Sequence, residues 1–241
     1  MNEQMNAPMP PESAGFAGWF STWMNAVSKP SEQNYAVMAE HPDAQSNSRA
    51  FTWVFLAGTF AAIISGVLSA ILELAGFAPQ IPGLSDLIGS APRSALASLG
   101  IALCTSPING AISALFFAIF VGILQWVAKM FKGTGTFSQL AYVMAAISVP
   151  VSLVTSLLTP FSATGVIGYC FSAITLLVAL YAMYLQLLAI KAVNKFGWGE
   201  AAGSYFLPLI LIACICFCIA FGLASIFGVA YSELLNQGFA P

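Results

Sequence analysis

Few side chains in this sequence have the chemistry and the spacing that catalysis or metal binding needs. The only histidine is His41, near the start of the chain. Neither the HExxH pattern of zinc hydrolases nor the GxSxG pattern of serine hydrolases occurs. Glu73 is the only acidic residue in a predicted membrane span, and it lies at the edge of that span. We therefore expect no catalytic residues, no cofactor and no metal.

The five cysteines are the other candidate ligands, at positions 104, 170, 214, 216 and 218. The last three alternate, so a helix would point them to different sides. They lie in an apolar run without a histidine nearby, whereas a zinc site needs converging sulfur and nitrogen ligands. We expect them to be small, polarizable residues of apolar helices.

Polar side chains within apolar segments are the remaining candidates for a binding site. We call this candidate site the polar seam, and its residues are Ser148, Ser152, Thr155 and Gln186. Hydroxyls in a membrane helix can bond the carbonyls that a proline leaves without an amide partner. Pro150 lies beside the hydroxyls, so they can be explained without a ligand. A path for a polar solute is the alternative.

Composition places these residues in a membrane protein. The chain has 241 residues, of which 59% are hydrophobic and only 7% are charged, whereas soluble domains carry about 25% charged residues. The net charge of −2 gives no basis for binding nucleic acid. Because residues 1–12 contain no Lys or Arg, we expect no cleaved signal peptide and a first span that serves as an uncleaved signal.

Apolar segments long enough to cross a bilayer, about 20 residues in a helix, define the predicted architecture. The clearest is 165–190, which is uncharged and is followed by Lys191 and Lys195. We predict an all-α, polytopic membrane helical bundle with five transmembrane helices and an N-terminal amphipathic helical region. The membrane domain is 51–241, and its spans are about 51–75, 107–129, 138–159, 165–190 and 204–229.

The second predicted span has a helix-start signal. Ser106 followed by Pro107 is typical of an N-cap and a first helical residue. We therefore expect a loop over 76–106. Within that loop, the segment 94–104 is too short to span the membrane, and an interfacial helix is one interpretation of it.

Residues 1–50 form a predicted cytoplasmic region, with disorder over 1–15, an amphipathic helix over 16–27 and a short helix over 31–40. On the first helix the apolar residues fall within one arc, namely Phe16, Trp19, Phe20, Trp23 and Val27. We expect this helix to lie along the membrane interface, in lipid or docked on the bundle. A solvated arm and a docking surface for a soluble partner are the alternatives.

A row of small residues on the first span predicts a close helix contact. Its members are Gly58, Ala62, Gly66 and Ala70. Small side chains let helix backbones approach in lipid, where no hydrophobic effect drives helices together. We expect this face to pack inside the bundle, with a second copy of the chain as the alternative partner.

The distribution of basic residues predicts the orientation. With the N-terminus inside, six basic residues lie on the cytoplasmic side and Arg93 alone lies outside, as the positive-inside rule favours. This gives a multi-pass protein of the cell inner (plasma) membrane with a cytoplasmic N-terminus and an external C-terminus. The predicted interfacial anchors are Trp19, Trp23, Trp53, Trp126, Trp198, Lys129, Lys132, Lys191 and Lys195.

Two motifs carry a family resemblance: GTGTFSQLAYVMAAISVP (133–150) and LLAIKAVNKFGWGEAAGSYFLP (187–208). Together with Trp23 and the KPSE segment (29–32), they make residues 20–230 similar to the Yip-one domain family, in its bacterial branch. The resemblance implies a five-helix bundle with a cytoplasmic N-terminus. Eukaryotic members act in vesicle traffic and carry a DLYGP motif before the membrane region. This sequence lacks that motif, so a Rab-related role is not implied.

These observations predict a non-enzymatic membrane protein of the Yip-one type that organises the membrane or serves as a partner-binding scaffold. Its expected partners are the lipid bilayer and either another membrane protein or a second copy of the chain. A small-solute transporter or channel is the alternative, because helices broken at Pro150 and Pro208 can build solute sites.

Overall fold

A computed structural model describes residues 15–77 and 95–211, together with a few positions between 213 and 222. All regular structure in this part of the chain is helical. The segment predicted to be disordered lies almost wholly outside it.

Two short helices and a turn precede the first long helix. They are α1 (Phe16–Ser28), α2 (Glu32–Glu40) and a 3-10 turn (Pro42–Gln45). The Ser31 side chain accepts a hydrogen bond from the Asn34 amide and thereby caps α2. Residues 16–28 and 32–40 are therefore helical.

Four long helices follow, and they are α3 (Asn47–Leu74), α4 (Ala95–Met130), α5 (Phe137–Leu158) and α6 (Gly165–Asn194). A 3-10 segment, Thr159–Ala163, joins α5 to α6. Each long helix contains a segment long and apolar enough to cross a membrane. The residues between 198 and 211 begin a further helix, α7. The predicted fifth span, 204–229, reaches beyond the described residues, so the total of five stays a prediction.

The predicted start of the second span is wrong. The helix α4 begins at Ala95 rather than at 107, and Pro107 lies inside it. A proline has no amide hydrogen, so the carbonyl of Leu103, four residues earlier, loses its donor. The Ser106 hydroxyl donates to that carbonyl over 2.9 Å and replaces the missing bond. Ser106 therefore repairs the helix instead of starting it.

The helix α5 is the centre of the bundle. It contacts α1, α2, α3, α4 and α6, as well as both 3-10 segments. Every residue from Leu140 to Ile147 is buried, although a helix at a bundle surface would expose one side of this run. The N-terminal helices supply the cover that the other long helices leave open. The bundle and its N-terminal region thus share one core.

Candidate functional site

Three of the four residues of the predicted polar seam border a cavity of about 480 Å³ between α3, α4 and α5. Ser148, Ser152 and Thr155 line it from α5. The small-residue row of α3 faces the same cavity through Gly58 and Ala62. Two patterns that were separate in the sequence therefore meet here.

The cavity hydroxyls donate mainly to helix backbone. Ser152 bonds the carbonyl of Val149, and Thr155 bonds the carbonyl of Ser152. Pro160 leaves the carbonyl of Ser156 without an amide donor. Ser65 of α3 donates to this carbonyl over 3.2 Å, which links α3 to the end of α5. The Ser65 bond is the role that hydroxyls have beside prolines in lipid. Ser152 and Thr155 bond other carbonyls than that of Ala146, which is the one that Pro150 leaves without an amide donor.

Gln186, the fourth member of the predicted seam, does not line this cavity. Its side-chain oxygen accepts a hydrogen bond from the Tyr205 hydroxyl over 3.0 Å, which joins α6 to α7. The four residues therefore do not form one site. The spacing of residues within one helix shows which of them share a face, but it does not show which helix that face contacts. It therefore could not place Gln186 at a different interface.

The small-residue row of α3 packs largely against α4 within the same chain. A Cβ atom on Gly58 would lie 2.8 Å from the Cβ of Ser113, closer than real side chains approach. A Cβ on Gly66 would overlap Ala102. Ala70, at the end of the row, is buried. This close contact explains why small residues recur at this spacing.

A second polar group lies where α4 and α6 end, and it is here called the amide clasp. It consists of Gln125, Asn194 and the carbonyl of Gly135. The Gln125 amide nitrogen donates to Gly135 over 2.6 Å and to the Asn194 side-chain oxygen over 3.1 Å. Asn194 in turn donates to the carbonyl of Ile190 over 3.2 Å. Both side chains are buried.

The turn between α4 and α5 fits around this clasp. A Cβ atom on Gly133 would lie 2.6 Å from the Asn194 side-chain oxygen, and one on Gly135 would lie 2.7 Å from the Val193 carbonyl. Both glycines are therefore needed for close approach. The turn ends in a capping box formed by Thr136 and Gln139, which starts α5.

The amide clasp was not predicted. Gln125 and Asn194 are 69 residues apart, and Gln125 lies outside both family motifs. The available signal was the first family motif, which begins with Gly133 and Gly135, and the second family motif, which contains Asn194. The structure brings these two segments together, since the Thr134 amide donates to the carbonyl of Asn194 over 3.3 Å.

The predicted anchors occupy different environments at the lysine-bearing end of the bundle, which is the end defined by Lys129, Lys132, Lys191 and Lys195. Trp126 and Trp198 are 64% and 50% exposed. Trp53 is completely buried and Trp23 nearly so, and the prediction that these two anchor the membrane interface is wrong. Their aromatic surface is used inside the protein, because the N-terminal helices fold back on the bundle.

Three tryptophans form an aromatic cluster that docks α1. The ring of Trp53 lies 5.7 Å from Trp23, 6.2 Å from Trp19 and 5.1 Å from Tyr142 of α5. Edge-to-face and tilted rings at such distances attract each other. His41 stacks on the same Tyr142 ring. The arc predicted on α1 is thereby divided, because Trp19 and Trp23 face the protein while Phe16 and Phe20 remain exposed.

Hydrogen bonds and one ion pair attach the N-terminal helices to α6. The Tyr181 hydroxyl donates to the carbonyl of Val27 over 2.7 Å. Lys191 pairs with Glu32 of α2 and also lies over the Trp198 ring, 4.9 Å from its centre. Of the predicted lysine anchors, Lys191 is thus used largely inside the protein, and Lys129 donates to the carbonyl of Gly133. Lys132 and Lys195 are exposed and have left-handed backbone conformations.

Reactive groups do not converge in the described part of the chain. No three His, Cys, Asp or Glu side chains there are placed to hold a metal ion. Cys104, Cys170, Cys214 and Cys218 are free thiols and lie exposed. The arrangement can hold helices together through amides, hydroxyls and aromatic rings.

Comparison with known proteins gives one match. The family model for the Yip1 domain matches residues 24–222. No curated protein matches the chain, and no solved structure matches it.

Proposed function

Because this chain belongs to the Yip1 domain family, whose model covers most of its length, we propose that it is a non-enzymatic scaffold that organises the membrane or binds membrane-protein partners. Four described helices suited to crossing a bilayer make it a multi-pass membrane protein. The scaffold role is a further proposal about the molecular activity of the protein in the membrane.

The observation that supports the proposal is that the buried polar groups form hydrogen bonds within the protein. Hydroxyls around the cavity donate to backbone carbonyls, as Ser152 and Thr155 do, and the buried amides of Gln125 and Asn194 bond each other. In a solute path, such donors would have to be available to bind the transported solute. Here the hydroxyls bond their own helix and the amides join two helices, which supports a rigid body that presents its surface to lipid and to partners.

A crosslinking experiment tests the scaffold role. A photoreactive amino acid at Trp126, which is exposed, is expected to give discrete crosslinked products with other membrane proteins in native membranes. The matched control is Leu124, two residues away and fully buried. In parallel, a Ser152→Ala variant reconstituted in liposomes is expected to match the parent protein in solute leakage. A specific flux that this substitution abolishes would refute the scaffold and favour transport.

We also propose that the lysine-bearing end faces the cytoplasm, in the inner membrane of a bacterial cell, and that a fifth span places the C-terminus outside. The lysines that follow α4 and those at the end of α6 support this orientation. A periplasm-dependent reporter fused after Pro241 should be active, and one inserted between Lys195 and Gly199 should be silent. The opposite pattern would reverse the orientation, and activity at neither position would remove the fifth span.

A further inference from the structure

The exposed side of α1 carries a stripe of large apolar side chains. Phe16, Phe20 and Met24 are 68%, 53% and 46% exposed, and they follow one another at intervals of four residues. Such residues lie on the same side of a helix. Trp23 lies beside the stripe, in contact with Phe16, and its ring is held against Trp53 in the aromatic cluster, so α1 cannot rotate to bury the stripe without breaking that contact.

The depth of α1 follows from its bond to α6. The helix α6 has 30 residues and is therefore about 45 Å long, whereas the hydrocarbon core of a bilayer is about 30 Å thick. Tyr181, which bonds Val27, lies 13 residues before Asn194, or about 20 Å from the lysine-bearing end. Even if all of the excess length, about 15 Å, protrudes at that end, Tyr181 still lies inside the hydrocarbon.

The hydroxyl and amide side chains of α1 bond other groups of the protein. The helix contains no charged residue. Ser21 and Thr22 both donate to the carbonyl of Gly18, and Ser28 donates to that of Met24. The Asn25 amide donates to Asn34 of α2. Polar side chains that bond the protein in this way are compatible with a membrane.

The C-terminal carbonyls of α1 give the strongest indication. The last carbonyls of a helix have no partner within it and are commonly left to water. In α1, the carbonyl of Ala26 accepts from the Tyr35 hydroxyl over 2.7 Å, and that of Val27 accepts from the Tyr181 hydroxyl. Burial raises the pKa of Tyr35, so this phenol stays a proton donor. Partners from two other helices thus replace water at this helix end.

We propose that α1 is embedded in one leaflet of the bilayer, with Phe16, Phe20 and Met24 in contact with phospholipid acyl chains. Tyr181 of α6, which bonds the carbonyl at the end of α1, is itself 40% exposed. The helix lies in the leaflet at the lysine-bearing end and shields α5 from lipid. This placement goes beyond the scaffold role and holds whether or not that role is correct.

Spin labels on the full-length protein in phosphatidylcholine liposomes test this placement. The five native cysteines are first replaced by serine, and a thermal melt checks that this background remains folded. One cysteine is then introduced as Phe20→Cys or Met24→Cys, both at exposed positions. Gln33→Cys, exposed on α2 next to Lys195 and Phe196, is the control outside the membrane.

Collisions with oxygen, which concentrates in lipid, are compared with collisions with a water-soluble nickel complex. Labels at 20 and 24 should meet oxygen more than nickel, and the label at 33 should show the reverse order. Nickel access at 20 and 24 equal to that at 33 would place α1 in water and overturn the proposal. Exclusion of both reagents at 20 and 24 would also overturn it, in favour of a protein occupant such as a second copy.

Discussion

Replacing Trp53 with alanine is expected to lower the free energy of unfolding by about 3–5 kcal/mol, the usual cost of removing a buried tryptophan or phenylalanine side chain. Trp53 is fully buried and contacts aromatic rings of α1 and α5. The change leaves a cavity between helices that cannot close without moving α1. Unfolding in detergent, followed by circular dichroism or calorimetry, measures the loss.

The matched control is Phe60→Ala, on the same helix but 55% exposed. It removes a large aromatic side chain without opening an internal cavity, so we expect a change of no more than about 0.5 kcal/mol. Hydrogen exchange supplies a second readout. Amides of α1 should lose protection in the Trp53→Ala variant, because local stability depends on local packing. Equal effects of the two substitutions would contradict the docking role of the aromatic cluster.

Replacing Asn194 with leucine is expected to destabilise the protein by about 1–3 kcal/mol, the cost of leaving a buried polar group without its partner. Leucine has a similar size, so the loss reports the hydrogen bonds with Gln125 and Ile190 rather than a cavity. Gln125→Leu should cost a similar amount, because it removes the donor to the carbonyl of Gly135 and to the Asn194 side-chain oxygen.

A double-mutant cycle identifies the interaction between these two amides. The double variant should be more stable than the sum of the single losses predicts, by about 0.5–3 kcal/mol. Asn109→Leu is the control, since this amide is exposed and bonds the Thr105 carbonyl of its own helix. Strict additivity of the Gln125 and Asn194 variants would show that the clasp does not join α4 to α6.

Local sequence patterns predicted where the helices lie, whereas contacts between distant residues determine how the helices pack. The cap at Ser31 and the apolar length of α6 depend on neighbouring residues, so they could be recognised from the sequence. The start of α4 could not be recognised in this way. A serine before a proline is typical of a helix start in water, but in lipid its hydroxyl can replace the hydrogen bond that a proline removes inside a helix.

The functional candidates show the same division. The small residues at Gly58 and Gly66 were expected to permit close packing, and they face α4. The arc on α1 was correctly placed on a helix, but periodicity alone could not show which part faces protein. Nor could it pair Gln125 with Asn194, since a buried amide has no periodic signature and its partner lies on another helix.

The bond between Val27 and Tyr181 joins residues separated by 154 positions, and this has a consequence for the order of assembly. During synthesis α1 is made first, but part of its docking surface belongs to the last of the four long helices. Domains usually fold from the N-terminus as the chain emerges. Here the aromatic side chains of α1 can pack on α3 and α5 earlier, but the carbonyl of Val27 has no Tyr181 partner until α6 has left the ribosome. The docking of α1 is therefore completed only after all four long helices have been made.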